Sequence, residues 1–310
     1  MSEIEIFKIS EDEDDTRIDK ILANRYSDVR SRSYFQYLIN NEFVTINGQP
    51  VKKQFRPLQG DEVRIEFVLT PELKLQPEEI PLDVIYEDDY LLAINKPAGM
   101  VVHPAPGNWS GTFVNALIHH CKDIESRFFQ QSARPGIVHR LDKETSGVLI
   151  AAKDPRTQQK LTELFSSRQV KKVYFAICLG SPKEGEVNAP IGRHPINRKK
   201  MCVREEGGRE AITQFKLLTT DGKISLLSIN LITGRTHQIR VHMKHLGTPV
   251  LGDATYGNIQ QNQRYQVKRQ LLHARTLQLT HPMTGEVLTL TADFPDDIKQ
   301  FLDKLHQQHN

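Results

Sequence analysis

One carboxylate stands among cations in the stretch GIVHRLDKETSGVLIAAK, residues 136–153. Asp142 lies two residues after Arg140 and directly before Lys143. The apolar run GVLIAAK follows at once and is typical of a buried strand, so the preceding turn is predicted at the rim of a core. Functional side chains are often presented from such loops. Asp142 is therefore a candidate catalytic residue.

Three chemistries could use Asp142. A metal site would need convergent ligands; His139 is three residues away, and His242 and His245 have the i, i+3 spacing of one helix face. However, no second carboxylate completes a recognisable ligand motif. A Ser-His-Asp triad lacks support because Ser146 lies in T-S-G rather than in a G-x-S-x-G elbow. The third chemistry uses the Asp142 carboxylate itself as a nucleophile toward an electrophilic carbon, held ionised by a nearby cation. It needs an arginine from elsewhere in the chain.

An arginine of this kind occurs in the segment INLITGRTHQIRVHMKHLG, where Arg235 lies 93 residues after Asp142. It follows a Thr-Gly turn between a predicted strand and a predicted helix. Its guanidinium could therefore leave the sheet edge and form a bidentate pair with a carboxylate. We predict that Arg235 is the partner of Asp142.

These residues must be positioned by strands and helices that do not alternate regularly, as they would in βαβ units. KVYFAICLG and KISLLSINLI are apolar and rich in strand formers, whereas RTHQIRVHMKHLG is a basic helix closed by Gly247. Asp154 and Pro155 mark the start of another helix. A hairpin is predicted around HPMTGE. The pattern indicates an α+β fold with a mixed, mainly antiparallel sheet.

A smaller region precedes this sheet. Two helical patterns, an Asn47-Gly48 hairpin signal and the alternating segment DEVRIEFVL fit a module of about fifty residues. Three prolines then interrupt the pattern, as in a linker. We predict four segments: an acidic N-terminal tail at 1–15, a small domain at 16–70, a Pro-rich linker at 71–81 and a catalytic domain at 82–305.

Charge is unevenly distributed along the chain of 310 residues. Residues 1–15 carry seven acids and one base, a net charge of −6, so the formal +3 of the whole chain leaves +9 on residues 16–310. We expect the acidic tip to be a solvated, frayed terminus and the basic body to suit a polyanionic partner.

Three scattered cysteines indicate a reduced cytosolic protein with neither disulfides nor structural zinc. The sequence contains no long apolar span that would predict a membrane segment, and we expect a monomer.

Basic residues cluster in the small N-terminal region. Arg30 and Arg32 begin its second helix, where they could meet phosphates together with backbone N–H groups, and Lys52 and Lys53 follow its hairpin. The segments RIDKILANRY and SRSYFQYLINNEFVTINGQPVKKQFRPLQGDEVRI resemble an S4 RNA-binding domain. The shared motifs are R-[IL]-D, V-x-[IV]-N-G and G-D-x-[IV].

The rest of the chain is similar to another family. HRLDKETSG, TGRTHQIRVH and the earlier NKPAG resemble, in content and order, the RluA/RluD family of pseudouridine synthases. The likeness continues through VVHPAPGNWSGTFVNALIHH, GRHPINRKKMCV and GTPVLGDATYG, which are RluD-like. It covers nearly the whole chain after the acidic tip.

This resemblance implies isomerisation of uridine to pseudouridine in RNA without cofactor or metal. Asp142 matches the family's catalytic aspartate, Arg235 its arginine partner, and Tyr174 the active-site tyrosine that stacks on the base. Arg140 matches the arginine that fills the space of a flipped uridine. Whether Asp142 attacks the sugar or promotes a glycal intermediate stays open.

The resemblance also implies a substrate. Large-subunit ribosomal RNA in a bacterial cytoplasm is expected, with phosphate contacts from the S4-like region and from the run Arg198, Lys199 and Lys200. Transfer RNA is the first alternative. A non-catalytic RNA-binding protein, as an S4 domain fused to a decayed synthase would be, is the second.

Overall fold

The computed structural model describes residues 3–26, 32–68, 75–104, 108, 110–128, 135–197 and 200–307. The chain divides into two compact units, residues 1–75 and 76–310. No helix in the described ranges is long and apolar enough to cross a membrane.

The small unit packs two helices against a four-stranded antiparallel sheet of order β1-β4-β2-β3. Its core contains apolar side chains from both helices and from the inner strands, among them Ile21, Phe35, Leu38 and Ile65. The elements are β1 (Glu3–Lys8), a 3-10 turn (Glu11–Glu13), α1 (Ile18–Arg25), α2 (Arg32–Asn40), β2 (Val44–Ile46), β3 (Gln49–Pro50) and β4 (Glu62–Phe67).

The acidic N-terminal segment belongs to this unit, which corrects the prediction of a frayed tail. Strand β1 pairs with β4 along its whole length, from Glu3 opposite Phe67 to Lys8 opposite Glu62. Alternation of Ile4 and Ile6 with acids gives the segment the period of a strand. Arg25 then pairs with Glu13, and its charge offsets part of the acidic excess.

The large unit is built on one sheet, which contains nine strands among the described residues. A separate two-stranded ribbon consists of β10 and β11. The strands are β5 (Val84–Glu87), β6 (Leu91–Lys96), β7 (Ser146–Ala152), β8 (Lys171–Leu179), β9 (Gly185–Asn188), β10 (Ile191–Arg193), β11 (Met201–Val203), β12 (Ile212–Thr220), β13 (Ile224–Leu231), β14 (Leu272–Thr280) and β15 (Val287–Thr291).

The strand order of the sheet is β5-β6-β7-β14-β8-β13-β12-β9, with β15 also paired to β14. All of these pairs are antiparallel except β7 with β14, where Ser146 lies opposite His273. Gly147 has φ +113°, and a Cβ there would lie 2.2 Å from the carbonyl oxygen of Ala274. Only glycine fits this close approach. The predicted α+β class with a mixed, mainly antiparallel sheet is confirmed.

Six helices are described in the large unit. Helix α5 starts as its sequence predicts, because the Asp154 carboxylate accepts a hydrogen bond from the backbone N–H of Thr157 and Pro155 occupies the first position. Leu161 of α5 packs into a core cluster with β6, β7, β14 and β15. The helices are α3 (Phe113–His120), α4 (Ile124–Arg127), α5 (Pro155–Ser166), α6 (Gln238–His245), α7 (Ile259–Arg264) and α8 (Asp296–Gln307).

Candidate active site

A cavity of about 570 Å³ contains the predicted catalytic residues. The loop before β7 and the start of β8 line it together with the turn between β13 and α6. Among the described residues that line it, Asp142 is the one carboxylate. The lining cations are Arg140, Arg168, Lys172, Arg209, Arg235 and Arg240. This charge balance suits a polyanion.

The loop that carries Asp142 is held by backbone hydrogen bonds. The carbonyl of Asp142 accepts from the Thr145 N–H at 3.0 Å. The next carbonyl, that of Lys143, accepts from Gly99 at 2.9 Å and from the ammonium of Lys96 at 3.1 Å. The carbonyl of Glu144 accepts from Arg269 at 3.0 Å. Three successive carbonyls are thus occupied, and the loop is fixed on the core.

Lys96, from the NKPAG motif, is the centre of this arrangement. It is fully buried, and its ammonium donates to the carbonyls of Pro97, Met100 and Lys143 at 2.8, 2.9 and 3.1 Å. Burial lowers its pKa to about 7, although the nearby charges of Glu144 and Asp142 act in the opposite direction. The motif therefore connects the end of β6 to the loop of Asp142.

The partner of Asp142 is Arg240, the third residue of α6. Nη1 of Arg240 donates to Oδ2 of Asp142 at 2.8 Å. Nε and Nη2 donate to the two oxygens of Asp253 at 2.7 and 2.9 Å. Burial alone would lower the pKa of Arg240, but the two carboxylates raise it. One buried guanidinium thus joins a structural carboxylate to the candidate nucleophile.

The prediction that Arg235 pairs with Asp142 is therefore wrong. Arg235 lines the same cavity, but its Nε donates to the backbone carbonyl of Glu210 at 2.9 Å. The reason is local: the Gln238 carboxamide accepts from the Arg235 N–H and from Thr233 and donates to the carbonyl of Ile212. These hydrogen bonds fix the turn before α6, and Arg235 extends toward Glu210, in the segment that precedes β12.

His237, the residue directly before α6, has an unusual backbone conformation. Its φ is +58° and its ψ is +19°, a left-handed backbone that is uncommon for residues other than glycine. Its Nδ1 lies 2.8 Å from the hydroxyl of Tyr256, which also accepts from the Met201 N–H. Its Nε2 lies 3.9 Å from Oδ1 of Asp142. Burial lowers the pKa of His237, against the effect of the Asp142 charge.

Tyr174 lies on β8 and lines the cavity with Asp142. It is 8% exposed. Burial raises its pKa, and the negative charge of Asp142 raises it further. The phenol is therefore neutral at physiological pH. A flat, protonated ring beside the carboxylate could stack on a base and hold a proton near it.

Arg140 and His139 differ although they are adjacent. Arg140 is exposed and lines the cavity, so its guanidinium is accessible to a substrate. His139 stacks on Phe165 with ring centres 4.7 Å apart, and its Nε2 accepts from the Ile150 N–H. Burial lowers the pKa of His139 to about 3. This geometry indicates a structural role for His139.

The predicted RNA contacts of the small unit fall in two places. Arg32 is 43% exposed and donates to the fully buried carboxylate of Asp19, which also binds Arg17. Lys52 and Lys53 are exposed in the loop after β3. Arg30 lies outside the described residues. In the large unit, Lys200 is half-buried in the loop between β10 and β11, whereas Arg198 and Lys199 lie outside the described residues.

No group of three His, Cys, Asp or Glu side chains that could hold a metal ion is found within the described ranges. His242, considered above as a ligand, hydrogen-bonds Thr213 through Nδ1 and donates to the Ala189 carbonyl through Nε2. What the arrangement offers instead is one carboxylate oxygen beside a neutral phenol in a basic cavity. That combination fits nucleophilic or general acid–base chemistry on an anionic substrate.

Sequence reasoning missed Arg240, Asp253 and Lys96. All three lie in segments quoted for the resemblance, TGRTHQIRVH, GTPVLGDATYG and NKPAG. A usable signal was the second arginine of TGRTHQIRVH, one turn inside the predicted helix. Asp253 is followed by backbone donors at Thr255 and Tyr256, as expected for an Asp-initiated turn.

Comparison with known proteins identifies the family. Residues 90–245 match the RNA pseudouridylate synthase family model. An uncharacterised RNA pseudouridine synthase of Chlorobaculum parvum is 42% identical over 93% of this chain and 94% of its own length. Ribosomal large subunit pseudouridine synthase D of Neisseria meningitidis is 41% identical over 93% of this chain and 78% of its own.

A solved structure agrees with these relatives. Human RNA pseudouridylate synthase domain containing 4 superposes with a TM-score of 0.56 and 29% identity, over 72% of this chain and 92% of its own. The chain belongs to the RluA/RluD family of RNA pseudouridine synthases, as the motifs predicted. It is an isomerase that acts on RNA.

Proposed function

We propose that this enzyme isomerises specific uridines of large-subunit ribosomal RNA, with Asp142 as the nucleophile. The observation that carries the proposal is the Asp142 carboxylate, which is the one carboxylate among the described lining residues, pairs on one oxygen with Arg240 and is 20% exposed. Asp142 bonds to C1′ as the N1–C1′ bond breaks, the uracil rotates, and C5 then bonds to C1′ as the Asp142–C1′ bond breaks. The C5 proton leaves and N1 gains one, so no redox partner is required.

Tyr174 and Arg140 have distinct roles in this proposal. A uridine within a stem or loop must leave its stack to reach a carboxylate inside a cavity. Arg140, exposed at the rim, occupies the vacated space and binds phosphate. Tyr174 stacks on the flipped uracil and assists proton transfer near C5.

Large-subunit ribosomal RNA is proposed because the relatives named for it match almost the whole chain. A cytoplasmic monomer is proposed with it. We further propose that residues 16–70, together with strand β1 of the acidic segment at 1–15, form an S4 RNA-binding domain, joined by a linker at 71–81 to a catalytic domain at 82–305. Arg17 and Arg32, fixed by Asp19, support this role because they present two adjacent guanidinium groups to a phosphate chain.

Release of tritium from RNA labelled at C5 of uridine tests the reaction. The purified protein is incubated separately with unmodified large-subunit RNA and with a tRNA pool, and pseudouridines are then mapped. Release and modification confined to the ribosomal RNA are expected. Modification confined to tRNA contradicts the proposed substrate. RNA binding without tritium release contradicts the proposed reaction and indicates a non-catalytic RNA-binding protein.

A further inference from the structure

Lys172 projects into the active-site cavity and has no function in the mechanism above. On a strand, side chains at i and i+2 point to the same face, so Lys172 and Tyr174 share the cavity side of β8. Their Cα atoms are about 7 Å apart at the usual strand rise. Lys171, the preceding residue, is exposed and does not line the cavity.

The ammonium of Lys172 crosses the cavity toward the turn before α6. A Cβ built on Gly234 would lie 4.0 Å from Nζ, so this turn leaves room beside the cation. No hydrogen bond or ion pair joins the ammonium of Lys172 to any side chain or carbonyl in the described part of the chain. Asp142, the one carboxylate among the lining residues that the structure describes, is bound to Arg240.

The surroundings of Lys172 disfavour a positive charge. Burial lowers its pKa, and the neighbouring cation Arg168 lowers it further. Lys172 in turn helps to keep the adjacent His139 neutral. A half-buried cation without a counter-charge is unfavourable for the free protein, and such a cost is offset only when an anion arrives.

We propose that Nζ of Lys172 binds a backbone phosphate next to the target uridine, while the uracil lies on Tyr174. This inference rests on the proposed function. An anionic phosphate oxygen compensates the buried charge, which a neutral uracil carbonyl cannot do to the same extent. The strand spacing also places the cation beside the nucleotide whose base contacts Tyr174. Lys172 is thus a substrate-positioning residue for the reaction.

Salt-dependent binding tests the phosphate contact. Lys172→Met, Lys172→Arg and the matched control Lys171→Met are prepared with Asp142→Asn, which prevents turnover, and their affinity for poly(U) and large-subunit RNA is measured between about 50 and 200 mM salt. Lys172→Met is expected to bind about tenfold more weakly, with a log–log salt slope smaller by about 0.7, the value for one contact on a single strand. Lys172→Arg and Lys171→Met should keep the slope of the parent.

A stability measurement distinguishes this role from a structural one. Because the free protein holds an uncompensated charge, Lys172→Met is expected to melt at a higher temperature than the parent without RNA. In the background with Asp142 intact, KM should rise more than kcat falls. If Lys172→Met is poorly folded, or keeps the salt slope of the parent, the proposal is overturned. Equal losses in Lys171→Met and Lys172→Met also overturn it, since both changes would then remove only general charge.

Failure of the proposed function gives a different result. In that case the protein with Asp142 intact forms no pseudouridine in any RNA. The salt slopes of the Lys172 variants do not depend on this result, because they are obtained from binding without turnover. An unchanged slope together with normal pseudouridine formation contradicts only the role of Lys172.

Discussion

Asp19 in the small unit and Asp142 in the large unit are both bound by arginine, but their surroundings differ. In the small unit, Asp19 is fully buried and accepts five hydrogen bonds, from Arg17, Arg32 and Gln36. Burial alone would raise its pKa, but these hydrogen bonds lower it. In the large unit, Asp142 is 20% exposed and accepts from Arg240 on Oδ2.

The difference shows how similar groups serve different purposes. Both oxygens of Asp19 are occupied, so this carboxylate can only position its arginines. Oδ1 of Asp142 receives no hydrogen bond from the described residues and borders the cavity. The second carboxylate on Arg240, Asp253, fixes the guanidinium so that Asp142 need not be surrounded by donors. A nucleophile requires such a free, accessible oxygen.

The largest effect is expected for Asp142→Asn. A neutral amide cannot act as the nucleophile, so turnover in the tritium-release assay should fall by at least about 10⁴-fold while folding and RNA binding stay nearly intact. Asp19→Asn is the matched control and should keep the parent kcat. If the activity of Asp142→Asn stayed within tenfold of the parent, Asp142 would not be the nucleophile, and its role would not differ from that of Asp19.

Arg240→Met should have the next largest effect. The change removes the guanidinium that holds the Asp142 carboxylate, so kcat in the tritium-release assay should fall by about 10²-fold or more. It also leaves Asp253 buried and unpaired, with a stability loss of about 3–5 kcal/mol.

Arg235→Met is the comparison variant for Arg240→Met and should lose less in kcat, because Arg235 donates to a backbone carbonyl and Arg240 to Asp142. Single-turnover rates of both variants decide which arginine is the partner. A larger loss of kcat in Arg235→Met than in Arg240→Met would contradict the pairing described above.

Lys96→Met tests whether the loop of Asp142 depends on its backbone clamp. The pKa of Lys96 is lowered from 10.5 to about 7, so the unfolded chain binds more protons than the folded protein between these values. The penalty of the buried charge is therefore complete below pH 7 and is relieved as the pH rises. The unfolding free energy of the parent should rise by about 2 kcal/mol relative to Lys96→Met between about pH 7 and 9.

Urea titrations at the two pH values measure this difference. The same variant should lose about tenfold in kcat, because three carbonyls lose their donor and the loop loosens. A difference in unfolding free energy that does not change with pH would mean that Lys96 is not perturbed.

The smallest effect is expected for Asp19→Asn. Arg17 and Arg32 lose their fixed positions, so affinity for large-subunit RNA should fall several-fold, with kcat unchanged. Filter binding and single-turnover kinetics separate the two quantities. A loss of kcat equal to the loss of affinity would show that Asp19 contributes to chemistry as well as to binding.

Much of the fold was accessible from the sequence because it depends on local signals. Alternating apolar residues gave the strands, and Asp154 with Pro155 gave the start of α5. The N-terminal strand is not predicted, because its acidic residues favour a solvated terminus, whereas its pairing with β4 depends on a segment more than fifty residues away.

The sequence by itself determined the family, the candidate nucleophile and the cavity side chains Tyr174 and Arg140, because these lie in contiguous motifs whose residue types limit the chemistry. Only the tertiary structure decided which arginine meets Asp142. Both candidates lie in one motif, and the choice follows from the hydrogen bonds of Gln238 and from Asp253. Contacts between residues so far apart in sequence depend on how whole elements pack, which local periodicity does not encode.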